Sequence, residues 1–122
     1  MNMFKDAYEE LERIRHLEKG WDGYRGAPFS PELINHCKAV INQLEQYCAD
    51  HCVMVKEICT GLASDGSIDI EVHYKNKSMF LIFYPDSYKD TFQVYKKEAA
   101  EQKETVSFPF PDISVQFTWL FS

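Results

Sequence analysis

The chain has 122 residues, 45% hydrophobic and 26% charged, with 13 basic side chains against 19 acidic ones and a net charge of −6. That length sets one α+β domain over 1–122, and the apolar fraction excludes intrinsic disorder. No apolar run approaches the roughly 20 residues of a membrane span, and the acidic balance argues against a nucleic-acid partner, which clustered Lys and Arg would hold. The opening Met1-Asn2-Met3-Phe4-Lys5-Asp6 has no apolar signal core, so a cytoplasmic location is expected.

In chain order, the first predicted element is a helix over Met3 to Lys19. Phe4, Tyr8, Leu11, Ile14 and Leu17 recur every three or four residues, and acids precede bases along it, which complements the helix dipole. Gly20 is expected to end it in the left-handed conformation. A second helix is predicted over Pro31 to Ala49. Ser30 is its N-cap, Pro31 fits its first position, and Phe29 and Ile34 occupy the two places of a hydrophobic staple. Its apolar stripe runs from Leu33 through Cys37, Val40 and Leu44 to Cys48.

After Asp50 the period changes to two. Val53 to Cys59 predicts a first strand, and Ser64-Asp65-Gly66 a turn. Ile68, Ile70, Val72 and Tyr74 alternate with Asp69, Glu71, His73 and Lys75, as a strand with one wet face does. Lys75-Asn76-Lys77 makes the next turn, Met79 to Tyr84 reads as a central strand, and Thr91 to Lys96 as a further one. Glu98 to Glu104 reads as a loose turn or one helical turn, and Val106-Ser107-Phe108 as a short fifth strand. The tail, Asp112 to Phe121, fits either period; the preceding Pro and a capping Asp112 favour a short helix. The expected architecture is two helices followed by an antiparallel meander of four to five strands, with a short C-terminal helix.

Cys37, Cys48, Cys52 and Cys59, with His51, offer a C-x2-H-C-x6-C spacing. Zinc frameworks use two short knuckles separated by a loop, whereas Cys37 and Cys48 belong to the helix stripe. Four reduced, mostly buried cysteines are therefore expected, with no metal and no cofactor. No nucleophile turn, H-E-x-x-H, Walker loop or G-x-G-x-x-G occurs, so no enzymatic activity is expected. Asp69, Glu71 and His73 share one strand face, the arrangement an acid–base site on the sheet would use; a solvated surface is the plainer reading.

The connection Gly20-Trp21-Asp22-Gly23-Tyr24-Arg25-Gly26-Ala27-Pro28 concentrates Trp, Tyr, Arg and Asp among glycines. Trp, Tyr and Arg anchor protein-binding hot spots, so Trp21, Asp22, Tyr24 and Arg25 are candidate partner-binding residues, together with Asp69 and Glu71. The competing reading is a structured joint in which Trp21 and Tyr24 cover the end of the core and Asp22 makes an Asx-turn with Gly23.

From Gly20 to Glu32 the chain resembles the W-D-G-Y-G-A-x-P-x-S-P-E signature of small bacterial and phage-encoded proteins. Ser64-Asp65-Gly66-Ser67-Ile68 is similar to the D-G turn that opens their β-rich half. Arg25 is inserted where the signature passes directly from Tyr to Gly, and Ile70 stands where those proteins often place a Trp after the acidic residue. The resemblance implies the helix–joint–helix–sheet order and a prokaryotic or phage origin; it implies no activity and no site.

Small size, acidity and 15% aromatic residues then favour a non-enzymatic protein-binding module, an inhibitor or neutraliser of the immunity, antitoxin or anti-defence kind, with a basic toxin or nuclease as partner. Much of the acidity is read as lying on the first helix, Asp6 to Glu12, and in the row Asp69 and Glu71. A hydrolase or transferase accessory with its site on the sheet is the alternative. A homo-oligomeric component is the third reading, because Phe108, Phe110, Phe117, Trp119 and Phe121 carry more aromatic surface than one small core hides. A monomer or homodimer is expected.

Overall fold

The computed structural model describes residues 3–23, 26–85, 91–98, 101–109 and 114–122, of which 91–95, 101–109 and 114–116 are described by their backbone alone. Three helices, α1 (Met3–Arg15), α2 (Pro31–His51) and α3 (Ser114–Leu120), accompany five strands. These are β1 (Glu57–Leu62), β2 (Ile68–Tyr74), β3 (Lys77–Phe83), β4 (Thr91–Glu98) and β5 (Glu101–Pro109). The strands form one antiparallel meander in the order β1-β2-β3-β4-β5, with a register shift between β4 and β5 at Lys96/Lys97. The expected α+β architecture is thus found, with five strands and the C-terminal helix.

Ser30 caps α2 as its sequence predicts: its hydroxyl accepts from the backbone N–H groups of Glu32 and Leu33. The helix runs two residues beyond Ala49, because Cys52 takes the left-handed conformation (φ 53°) and its N–H closes on the Cys48 carbonyl. α1 is shorter than expected. It stops at Arg15, and two tighter turns carry Leu17 onto the core. Gly20 does adopt positive φ (82°), but inside the following connection and not as the helix cap.

The helices cover one sheet face. Leu11 and Ile14 of α1, Leu33, Ile41 and Leu44 of α2, and Phe117 and Leu120 of α3 share a core with Ile68, Ile70, Val72, Met79, Leu81 and Phe83. Full burial of each such side chain contributes about 1.5–3 kcal/mol relative to exposure. Of the tail aromatics, Phe117 is fully buried in this core, while Trp119 and Phe121 are partly buried against it, Phe121 packing on Tyr47 and Tyr74 at ring separations of 5.6 and 4.8 Å. The side chain of Phe108 and all of Phe110 and Asp112 lie outside the described residues. Lys77 fastens α3 from below, its ammonium donating to the Trp119 and Ser122 carbonyls at 3.0 and 3.1 Å, where a cation suits the helix dipole.

Two strand boundaries differ from expectation. β1 begins at Glu57, since Val53 to Lys56 bridge the helix to the sheet, and it runs on through Gly61 to Leu62. Residues Glu101 to Glu104, expected as a turn, are part of β5. β5 is an edge strand, and edges commonly carry charged side chains that discourage further pairing.

Candidate functional site

The connection between α1 and α2 is held by its own hydrogen bonds. Trp21 Nε1 donates to the Ala27 carbonyl (2.8 Å), Asp22 Oδ1 accepts from the Gly26 N–H (3.0 Å), and the Gly20 N–H reaches the Gly26 carbonyl (2.8 Å). The Trp21 ring lies 5.4 Å from that of Phe29 and packs against the core. A Cβ on Gly26 would stand 2.7 Å from Trp21 Nε1 and 2.9 Å from the Asp22 carboxylate, so glycine is required there for space alone. Trp21 and Asp22 therefore serve the joint; Tyr24 and Arg25 lie outside the described residues. The joint also docks on the β1–β2 turn: Ala27 N–H donates to the Ser64 carbonyl (2.8 Å), and Gly66 (φ 92°) sits beside Pro28.

The other sequence-predicted residues lie on the sheet face away from the helices. Inner positions of β2 are fully buried, while Asp69, Glu71 and His73 are half-buried on the outer side, beside Ser78, Phe80 and Ile82 of β3. β1 adds Glu57, Cys59 and Gly61, which stand opposite His73, Glu71 and Asp69. Asp69 lies over Gly61, where an added Cβ would meet its Oδ1 at 2.3 Å. Burial first, and then the Glu71 charge, raises the Asp69 carboxyl above the ordinary range; a hydrogen bond with the Gly61 backbone partly offsets this.

His73 is held at both ring nitrogens. Nδ1 lies 2.7 Å from Ser78 Oγ, and Nε2 lies 3.2 Å from Glu71 Oε2. Cys59 Sγ donates to Glu57 Oε1 (3.3 Å), and its thiol is pushed up to about 11 by burial, that bond and the charges of Glu57 and Glu71. One ligand atom each from Glu57, Cys59 and His73 lie within 4.8 Å of one another. The sequence spacing C-x2-H-C-x6-C missed this group. Cys37 and Cys48 are buried in the helix stripe, and His51 is stacked on Tyr47 with its Nδ1 against the Tyr47 carbonyl. All four cysteines are free, but Cys52 is exposed and Cys59 half-buried, so only two are buried as expected.

The acids of α1 and those of the sheet differ in their surroundings. Glu10 pairs with Arg13, and Glu12 with Arg15 and Lys38, so the helix acids are largely neutralised at their own surface. Among the described residues, no lysine or arginine pairs with Glu57, Asp69 or Glu71. Among the described residues, two grooves open beside α1. One, of about 490 Å³, is lined by Met3, Phe4, Cys48 and Met54, and the other, of about 390 Å³, by Met3, Asp6, Lys56 and Glu57. Neither includes Asp69, Glu71 or His73.

Compared with family models, curated proteins and solved structures, the chain matches none of them.

Proposed function

We propose that the chain is a non-enzymatic protein-binding module that neutralises a basic protein through the outer face of β1–β3. The observation that carries this reading is the contrast in acid pairing: Glu9, Glu10 and Glu12 of α1 have lysine or arginine partners, whereas Glu57, Asp69 and Glu71 stand together with no lysine or arginine partner among the described residues, Glu71 contacting the His73 imidazole. Beside them, half-buried Phe80 and Ile82 give the patch an apolar centre. An apolar centre with a charged margin is the usual anatomy of a protein interface. Unpaired carboxylates attract a basic partner over a Debye length of about 8 Å at physiological salt and raise its association rate. No helix among the described residues is long and apolar enough to cross a membrane.

The test is affinity capture from the native host with the intact chain, beside Asp69→Lys and the α1 control Glu9→Lys. A basic protein retained by the wild type and by Glu9→Lys, released by salt and lost with Asp69→Lys, supports the proposal. Capture of nothing above background, or of a partner indifferent to Asp69→Lys, refutes it.

A further inference from the structure

We propose that Glu57, Cys59, Glu71 and His73 form a binding site for one divalent transition-metal ion of the zinc class. The site shares Glu57 and Glu71 with the proposed protein-binding face, but Asp69, on which the capture test turns, is not among its ligands, so the two can fail separately. Register supplies the frame. Glu57 stands opposite His73 and Cys59 opposite Glu71, giving a four-cornered patch on two paired strands. Side chains directly opposite in an antiparallel pair have Cβ atoms about 4.5–5.5 Å apart, within reach of a common ion.

The donor atoms already converge. Those of Glu57, Cys59 and His73 lie within 4.8 Å of one another; Glu71 stands outside that group of three but brings its Oε2 to 3.2 Å from His73 Nε2. Around tetrahedral zinc, with bonds of about 2.0–2.3 Å, ligand atoms stand roughly 3.3–3.8 Å apart, so binding requires the side chains to rotate and draw the donors together. Ser78 supplies the outer support such sites need. His73 Nδ1 lies 2.7 Å from Ser78 Oγ; in the tautomer that donates there, Nε2 gives up its hydrogen bond with Glu71 and its lone pair is free for the ion. Thiolate and imidazole select zinc, or cobalt in its place, over magnesium and calcium, which prefer oxygen alone.

Binding exchanges one ion for the Cys59 proton. The S–H bond breaks, the proton leaves to solvent, and the sulfur electron pair forms the metal bond. The ion also neutralises two carboxylates that otherwise repel each other and the thiolate.

The test titrates the full-length chain, reduced with a phosphine and stripped by chelator, with Co²⁺. Expected are one equivalent bound, visible absorption of a tetrahedral ion, a near-ultraviolet thiolate-to-cobalt band, and displacement of cobalt by Zn²⁺. Cys59→Ser should abolish the sulfur band, and His73→Asn should weaken binding at least about 10-fold. Ser78→Ala should cost about 10-fold, as loss of a ligand-orienting group does. Cys52→Ser, at an exposed thiol, should change nothing. Absence of the sulfur band from the wild type, or its survival in Cys59→Ser, overturns the proposal. Should Cys59→Ser fail to fold, alkylation of the unmodified chain decides: Zn²⁺ must slow Cys59 at least about 10-fold while leaving Cys52 unaffected, and equal Cys59 rates with and without Zn²⁺ overturn the site.

Discussion

Gly26→Ala tests the claim that the α1–α2 connection is a built joint. Gly26 is buried and is not among the glycines at positive φ, so alanine meets no backbone penalty there. The added methyl would instead stand 2.7 Å from Trp21 Nε1 and 2.9 Å from Asp22 Oδ1. Neither neighbour yields easily. The indole is fixed by its bond to Ala27 and by Phe29, and Asp22 is fixed by the Gly26 N–H itself. Losing the indole bond costs about 0.5–1.5 kcal/mol and the charged bond to Asp22 about 1.5–3, so about 2–4 kcal/mol is expected. For a chain of this length that is a fall in melting temperature of roughly 10 °C. Urea denaturation followed by far-ultraviolet dichroism reads the difference. Gly23 provides the contrast: nothing lies within 4 Å of its Cβ position, but its φ is 83°. Gly23→Ala should cost about 1–2 kcal/mol through strain. Gly23→Asn should recover much of that, because Asn tolerates the left-handed region, whereas Gly26→Asn should recover nothing. Gly26→Ala within about 0.5 kcal/mol of the wild type, the range of an ordinary surface change, refutes the reasoning.

Three further outcomes are expected. Ser30→Ala, which removes the acceptor for two helix N–H groups, should cost about 1 kcal/mol in denaturant melts, while Ser30→Asp should cost less. Asp69→Asn keeps an acceptor for Gly61 and sheds a disfavoured charge. Because the folded-state pKa of Asp69 is raised, its ionisation destabilises the fold above that pKa, and the penalty disappears as pH falls through it. The variant should therefore be more stable than the wild type at pH 7, with a gap that narrows on acidification; a gap independent of pH would contradict this. Lys77→Met should cost about 1 kcal/mol by removing the cation at the α3 terminus, and Trp119 fluorescence should report loosening of the tail before global unfolding.

The elements legible in the sequence are those whose signals act locally. Ser30-Pro31 and the alternation from Ile68 to Tyr74 specify α2 and β2 through capping and side-chain period, and both lie where these predict. The misplaced boundaries have nonlocal causes. Leu17 continues the apolar period of α1 although the helix has ended, because the turns after Arg15 still direct it to the core. β1 runs past the predicted end at Cys59 through Gly61, where the Asp69 carboxylate across the ladder occupies the space a side chain would fill. Glu101 to Glu104 carry no apolar alternation, since an edge strand needs none. The metal-binding patch is illegible for the same reason. Glu57-x-Cys59 and Glu71-x-His73 are visible as pairs, but which pair faces which depends on register, and a slip of one residue would send each set to the other face.

That register is pinned at the end of the hairpin where the two resembling stretches meet. The β1–β2 turn closes with Ala63 N–H on Ser67 O and Gly66 N–H on Ala63 O, and Asp65 Oδ1 accepts from Ser67 N–H. Outside it, Ala27 N–H holds the Ser64 carbonyl, and Pro28 lies against Gly66. The glycine-rich joint thus does two things with one conformation. Its inner side, through Trp21 and Phe29, covers the core between α1 and α2; its outer side braces the turn from which β1 and β2 run back in register. Inward of that turn come Gly61 beneath Asp69, then Cys59 opposite Glu71, then Glu57 opposite His73. Trp21, a binding anchor by composition, is thus also a structural part of the joint that braces the turn leading into the outer face.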